Sequence, residues 1–360
     1  MSPDSPKGRS ASLRPTSPVV ARVLRGGRVE SRHRGFAAIV DADGRLLGSV
    51  GGPHHGIWLR SAAKPFQALP LLEAGGERAF RLGDDEIALM CASHGGEPGH
   101  VRVAARLLAR GGFRERDLAC GAHWPMHEAS ARALARMGRR PGVLHNNCSG
   151  KHAGLLLACR LYGFDAAGYT DPEHPIQKEI LGRLSDLCGV SSAEIPLAVD
   201  GCNLPVFFLP LSALARGYAR LLASSALPAE SAARAAARRR VVRAMTASPG
   251  MVAGRERFTT DFLRVGRGAW VGKEGAEGVY AIGLRGSGGE NGRPVGIALK
   301  IEDGSSRPRD AVTLALLDRA GLLPDRACSA LSKYRLPAVH NARGEVVGAI
   351  EAEVDLQAAG

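Results

Sequence analysis

The sequence predicts an α+β fold in which an antiparallel sheet flanked by helices carries a second, helical lobe. Three observations predict it. Strand-like runs occupy both ends of the 360-residue chain, and helical periodicity occupies the middle. Near the start, "GFAAIVDADGRLLGSVG" sets an Asp43-Gly44 turn between two apolar runs, a strong hairpin signal. The composition, 45% hydrophobic and 23% charged, is ordinary for a globular protein of this size.

The elements follow in order. Residues 1–18, "MSPDSPKGRSASLRPTSP", are polar and rich in Pro and Ser; they read as a disordered tail and lack the apolar core of a signal peptide. Residues 19–25 and 36–50 read as strands. From about residue 61 the helical period takes over, with candidates over 64–74, 84–92, 98–110, 128–137, 150–161, 174–188, 211–223 and 228–247. Strands return over 268–284, 294–303 and 344–354, with a helix near 308–320 between the last two. The terminal groups are expected to form one sheet lobe, 19–60 and 255–358, and residues 61–254 the helical lobe. A cleft between the lobes is where a small-molecule site belongs. "GLRGSGGENGRP" (283–294) fails the spacing of a dinucleotide fingerprint and precedes a strand, so it reads as a hairpin loop.

Bulk properties narrow the function. The net charge is +13, but much of it is spread along helices, as in "SAARAAARRRVVRAM" (231–245), where only Arg238 to Arg240 cluster. That pattern reads as a solvated helix face, with steering of small anionic substrates a second use of the charge. Aromatics are only 5%, too few for a single-strand stacking platform, so no nucleic-acid partner is expected. No apolar run approaches the ~20 residues that cross a bilayer, so no membrane partner is expected either. Seven scattered cysteines suit reduced thiols or a metal site in a cytoplasmic protein better than a disulfide framework.

Lysine is the informative residue. Of 48 Lys plus Arg, only seven are Lys: 7, 64, 151, 178, 273, 300 and 333. Arg keeps its proton in proteins, whereas a buried or crowded Lys can give its proton up, so chemistry that needs a neutral amine needs Lys. In "WLRSAAKPFQALP" Ser61 stands three residues before Lys64, a spacing that puts both on one face of a helical turn. A neutral Lys64 amine could take the Ser61 proton and make the hydroxyl a nucleophile. Pro65 disfavours helical geometry at Lys64, so the pair belongs at the start of a helix, where the dipole favours an oxyanion.

Three more clusters stand out. "CASHGGEPGH" puts Ser93 and His94 in a Gly-rich loop that lets a substrate approach the backbone; it also serves as a cap for the following helix. "HNNCSGKHAGLL" sets Asn147, Cys148, Ser149, Lys151 and His152 before an apolar helix. Ser149 or Asn147 fits a helix cap, and Cys148 with His152, four apart, fits a metal. "AVDGCNLPVFF" adds Asp200 and Cys202, so two thiolates from separate loops and a nitrogen ligand could hold zinc. In "WVGKEGAEG", Lys273 lies among glycines on a late strand. There it either faces a ligand or blocks edge-to-edge pairing.

Together, "RSAAKPFQALP", "CASHGGEPGH", "HNNCSGKHAGLL", "DGCNLPVFFLPL" and "VGKEGAEGVYA" resemble, in order and spacing, the bacterial L-asparaginase II family, the thermolabile Rhizobium type. The resemblance spans roughly residues 19–355. It implies a single unit over 19–358, hydrolysis of L-asparagine to L-aspartate and ammonia, and a fold similar to serine β-lactamases and serine-dependent glutaminases. It further implies that Ser61 with Lys64 and Ser93 with Lys273 are two catalytic Ser-Lys pairs. Cys148, Lys151 and Cys202 would be zinc ligands, and the protein a homodimer. Arg60, His94, Asp200 and His152 stand as substrate-binding candidates, with Arg60 suited to an α-carboxylate. The expected mechanism is attack by Ser61 with Lys64 as base, Ser93 and Lys273 relaying protons, and an acyl-enzyme intermediate; the alternative makes Ser93 the nucleophile and Lys273 the base. Other classes are a glutaminase or β-lactamase-like amidase of the same architecture, a zinc-dependent amidase, and a non-catalytic basic binding protein.

Overall fold

A computed structural model describes residues 17–223, 227–228, 230–285 and 293–359. Residues 1–16 of the expected tail and 286–292 of the glycine-rich loop lie outside the described residues. Ser17 does not belong to a free tail: it is buried, its hydroxyl donates to Glu302, and its carbonyl accepts from Arg34 at 2.7 Å.

Twelve strands are described: β1 (Val19–Arg25), β2 (Arg28–Asp41), β3 (Leu46–Val50), β4 (Gly56–Trp58), β5 (Leu197–Val199), β6 (Pro205–Pro210), β7 (Trp270–Gly275), β8 (Val279–Leu284), β9 (Val295–Ile301), β10 (Ala338–His340), β11 (Val346–Ala352) and β12 (Gln357–Ala358). The main sheet runs β10-β11-β1-β2-β9-β8-β7, with β3 pairing β2 and β12. Every pairing in it is antiparallel, and the first and last strand groups share it, as their sequence position leads one to expect. One strand is longer than expected. β2 starts at Arg28 rather than 36, and its first half pairs β1 through a two-residue Gly26-Gly27 turn with φ of 54° and 74°. Positive φ at both turn residues is what a tight hairpin of right-handed twist requires.

The second half of β2 and strands β7, β8 and β9 are buried on both faces, and alternation assigns the side chains. Phe36, Ala38, Val40, Ala281 and Ala298 face the helical lobe, in one core with Leu214 and Tyr218. Ala37, Ile39, Tyr280, Ile282, Ile297 and Leu299 face the opposite way. There the Phe258–Gly266 and Arg309–Arg319 helices contribute Phe262, Leu314 and Leu317. The Leu211–Leu221 helix sits very close to the sheet: a Cβ on Gly296 would come within 1.7 Å of the Ala215 carbonyl oxygen, and one on Gly283 within 2.5 Å of that of Tyr218.

The middle of the chain is largely helical, centred on the buried Ser149–Tyr162 helix. Two features differ from expectation. The 64–74 helix is two short pieces, Lys64–Gln67 and Leu69–Glu73, each with a proline in its first turn, where the missing N–H costs nothing. A three-stranded sheet, β4-β6-β5, also lies here and brings the segments around 58–60 and 199–202 to one place. The arginine-rich helix is corrected as well. In Ala232–Ala247, Arg238 is not solvated but buried: it donates to Glu230 at 2.9 Å and to the carbonyls of Arg220 and Ala223. Among the described residues no helix is long and apolar enough to cross a membrane.

Candidate active site

Each element delivers one part of the site. β4 leads to Leu59, and Arg60 then takes a left-handed φ of 48°, turning the chain sharply into a 3-10 turn, Arg60–Ala63, that runs into the Lys64–Gln67 helix. Pro65 thus does sit at a helix start. Residues three apart stack in such a turn, yet no hydrogen bond to the Ser61 hydroxyl is found among the described residues. The four-carbon stem of Lys64 instead carries its amine on to the loop after the Asp84–Met90 helix. There it donates to the Ala92 carbonyl and lies 3.0 Å from the Ser93 hydroxyl. On β7, Lys273 approaches the same oxygen from the sheet side at 2.9 Å. The Ser93 oxygen therefore sits between two amines.

All three groups are enclosed. Lys64 and Lys273 are fully buried, and Ser93 is 5% exposed. Burial pushes the Lys273 amine down to about 7; the Glu274 carboxylate opposes the shift and Lys64 adds to it. Lys273 also donates to Glu274 twice, at 2.8 Å to its carbonyl and 3.2 Å to its carboxylate. The backbone N–H groups of Ser93 and His94, which an oxyanion would need free, are committed to the carbonyls of Val252 and Asn147. The Ser61 N–H opens a turn, where N–H groups lack internal partners.

The thiol-rich stretch lies beside this cluster. Cys148, rather than Ser149 or Asn147, stands at the N-cap position of the Ser149–Tyr162 helix, with no side-chain capping bond, and Lys151, one turn in, donates to Cys202 at 3.0 Å. The neighbouring Cys202 thiol, against burial and with Lys64 and Lys151 helping, holds the Cys148 thiol well below its usual range. Burial opposes charge on Lys151, but Cys148 and Cys202 outweigh it and raise the ammonium's pKa. Two thiol sulfurs and an amine thus converge in a buried spot, a donor set that suits a borderline-soft ion such as zinc. Among the described residues no group of three or more His, Cys, Asp or Glu is placed to hold a metal; the third donor here is a lysine.

The remaining candidates divide. Arg60 donates to Asp200 at 2.7 Å and has Glu277 at 3.9 Å. Burial favours protonation of Asp200, but Lys151 and Arg60 outweigh it and keep the carboxyl below its usual range. Arg60, Asp200 and Gly201, with Trp58, Glu277 and Lys300, line a cavity of about 490 Å³ that opens to solvent. A larger cavity, about 610 Å³, lies far from this chemistry between the Arg309–Arg319 helix and β11. His152 is fully buried: Tyr169 Oη accepts from the Ala119 N–H and lies 2.6 Å from His152 Nδ1, while Nε2 makes no hydrogen bond of normal geometry and has the Cys202 backbone as a neighbour. His94 is placed differently. Its Nδ1 accepts from the Gly96 N–H at 3.1 Å and its Nε2 meets Ser149 Oγ at 2.9 Å, so both nitrogens are used within the protein.

The chain matches the family model described as L-asparaginase II over residues 21–352. It belongs to the L-asparaginase II family. Membership supports an amidohydrolase of asparaginase type acting on a small molecule. No curated protein matches the chain. Among solved structures, one described as "Crystal Structure Analysis of Mglu" is 16% identical at a TM-score of 0.34, covering 81% of this chain and 68% of that one. Its native form is 16% identical at 0.36, covering 87% and 71%, and its glutamate form 16% at 0.34, covering 81% and 62%. At these TM-scores the likenesses carry no argument. In this L-asparaginase II chain the sequence reading missed Glu274, Thr259 and Tyr169. A signal for the first was present: Glu274 is a second charge on a strand buried along its whole length.

Proposed function

We propose that the protein hydrolyses L-asparagine to L-aspartate and ammonia through an acyl-enzyme formed on a serine, with lysine amines as acid and base. The observation that carries the reading is the Ser93 hydroxyl held at 2.9 Å from Lys273 and 3.0 Å from Lys64, away from water. An amine pushed down to about 7 is about half neutral at that pH and able to accept a proton. Lys273 takes the Ser93 proton as the oxygen attacks the side-chain amide carbon. The tetrahedral oxyanion collapses, the C–N bond breaks, and the proton on Lys273 goes to the departing nitrogen, giving ammonia. Water then adds to the ester, giving its proton to Lys273; the C–O bond breaks and Ser93 recovers its hydrogen.

Lys64, donating to the Ala92 carbonyl and facing the same oxygen, stabilises the developing alkoxide. The Arg60–Asp200 pair on the open cavity is suited to the α-carboxylate and α-ammonium of an amino acid, and His152 Nε2 to a polar atom of the substrate. Cys148, Lys151 and Cys202 would hold zinc, with Lys151 neutral. When bound, the ion would supply positive charge that orients an anionic or carbonyl oxygen. The fold proposed is that of serine β-lactamases and serine-dependent glutaminases. It is supported by the Ser-x-x-Lys turn at the head of the helical region and by the lysine on edge strand β7. The assembly proposed is a cytoplasmic homodimer, checked by its mass in solution.

Ammonia release from asparagine tests the reading. Ser93→Ala and Lys273→Met are each expected to lose on the order of 10²–10⁴ in kcat, and retention of wild-type turnover by both would refute it. A second reading follows from exposure. Ser61 is half-buried and follows Arg60, which lines the open cavity, whereas Ser93 is enclosed, so Ser61 could attack while Ser93 links the two amines. It predicts that Ser61→Ala, not Ser93→Ala, abolishes trapping of an acyl-enzyme.

A further inference from the structure

We propose that Glu274 is a positioning residue for Lys273: it takes the amine's N–H groups and thereby aims the nitrogen lone pair at the Ser93 hydroxyl. The inference rests on the Ser93–Lys273 reading above. Neighbouring residues on a strand point to opposite faces, so Lys273 and Glu274 would ordinarily diverge. Here the Glu274 carboxylate returns to 3.2 Å from Lys273 Nζ, and its own carbonyl lies at 2.8 Å. A neutral amine has two N–H groups and one lone pair. With both N–H groups given to the two Glu274 oxygens, the lone pair faces the third neighbour, Ser93 Oγ at 2.9 Å. Without Glu274 the amine would be free to turn an N–H toward the serine, a geometry that cannot accept its proton.

The carboxylate is itself held. Thr259 Oγ1 donates to its second oxygen and lies 3.0 Å from Tyr280 Oη, and Arg257 stands 3.5 Å from the first. Glu274 is buried, and burial works against its charge; Lys273, Arg257 and Arg309 overcome this and keep it ionised. The other titratable groups around the pair are Lys64 and Cys91 on the Lys273 side and Asp310, Tyr218 and Tyr280 on the Glu274 side. So enclosed a carboxylate is costly unless paired, and its pairing is directed at the reacting amine.

Glu274→Gln tests the proposal through the pH profile. Removing the negative neighbour lowers the Lys273 pKa, so the neutral amine persists to lower pH. The acidic limb of kcat/KM is expected to move down by roughly one pH unit, while kcat falls about tenfold or more from lost alignment and KM stays within about twofold. A purely structural role would lower both parameters and leave the limb in place. Where Glu274→Gln does not fold, Thr259→Val keeps the charge but frees the carboxylate, and is expected to lower kcat severalfold at constant KM. An unmoved limb in Glu274→Gln, or in its absence an unchanged kcat in Thr259→Val, together with an inactive Lys273→Met overturns the positioning role alone. A fully active Lys273→Met overturns the Ser93–Lys273 reading, and this inference with it.

Discussion

At the residue scale, scarcity was the most legible signal. With seven lysines in 360 residues, the two that meet at Ser93 stood out before any coordinates. The Ser93–Lys273 pairing follows from the resemblance; the meeting of Lys64 with Ser93 was not legible. Spacing put Ser61 on the same face as Lys64, but a side chain with four rotatable carbons reaches past its local neighbour to a loop about 30 residues away. The environment of Lys273 leads to two predictions of linked sign. Activity needs the neutral amine, so kcat/KM is expected to rise about tenfold per pH unit below roughly 7 and to level off above it; a pH–rate profile on asparagine checks this. Stability follows the same group. Its folded pKa lies below the unfolded value of 10.5, so the unfolded chain binds more protons between the two. Lys273 alone therefore adds stability as pH rises from about 7 toward 10. Comparing the urea midpoints of wild type and Lys273→Met across that window isolates the contribution, because the methionine variant lacks it.

At the element scale, the long strands and helices could be read because one face or both are apolar with a clear period. What escaped was set by a pairing partner. The first half of β2 is polar and exposed, and it is a strand because β1 and the Gly26-Gly27 turn fix its register. The glycines of β8 and β9 mark where the Leu211–Leu221 helix touches the sheet. Gly296→Ala would place a carbon 1.7 Å from the Ala215 carbonyl oxygen, so helix and sheet must part. Overpacking costs about 1–3 kcal/mol where the core can yield, and backbone on both sides leaves little room to yield. The expected outcome is a loss at the top of that range or failure to fold, read by thermal unfolding. Gly182→Ala, with nothing within 4 Å of its added carbon, is the control and is expected to be neutral or stabilising.

At the scale of the whole molecule, a line of neighbouring polar groups leads from surface to sheet. Hydrogen bonds join Arg60 to Asp200, Lys151 to Cys202, Lys64 to Ser93, Ser93 to Lys273 and Lys273 to Glu274, while Asp200 and Lys151, and Cys148 with Cys202, Lys64 and Lys151, are electrostatic neighbours. The thiols and Lys151 are its middle link, and they tie the start of the Ser149–Tyr162 helix to the loop after β5, which also lines the open cavity. An ion held there would act on both ends of the line at once. Zinc loading is therefore expected to raise the unfolding temperature and to be needed for full turnover, with about one zinc per chain by elemental analysis. Chelation followed by dialysis is expected to lower both, and added zinc to restore both. Cys148→Ser and Cys202→Ser should each lose the zinc content, whereas Cys188→Ser, a buried thiol outside the line, should keep it. A wild-type protein that carries no zinc, with unfolding temperature and turnover indifferent to chelator, would leave the thiols and lysine as a hydrogen-bonded cluster of the folded chain. The acid–base work would then fall to the two amines at Ser93 alone, since nothing in their geometry depends on the ion.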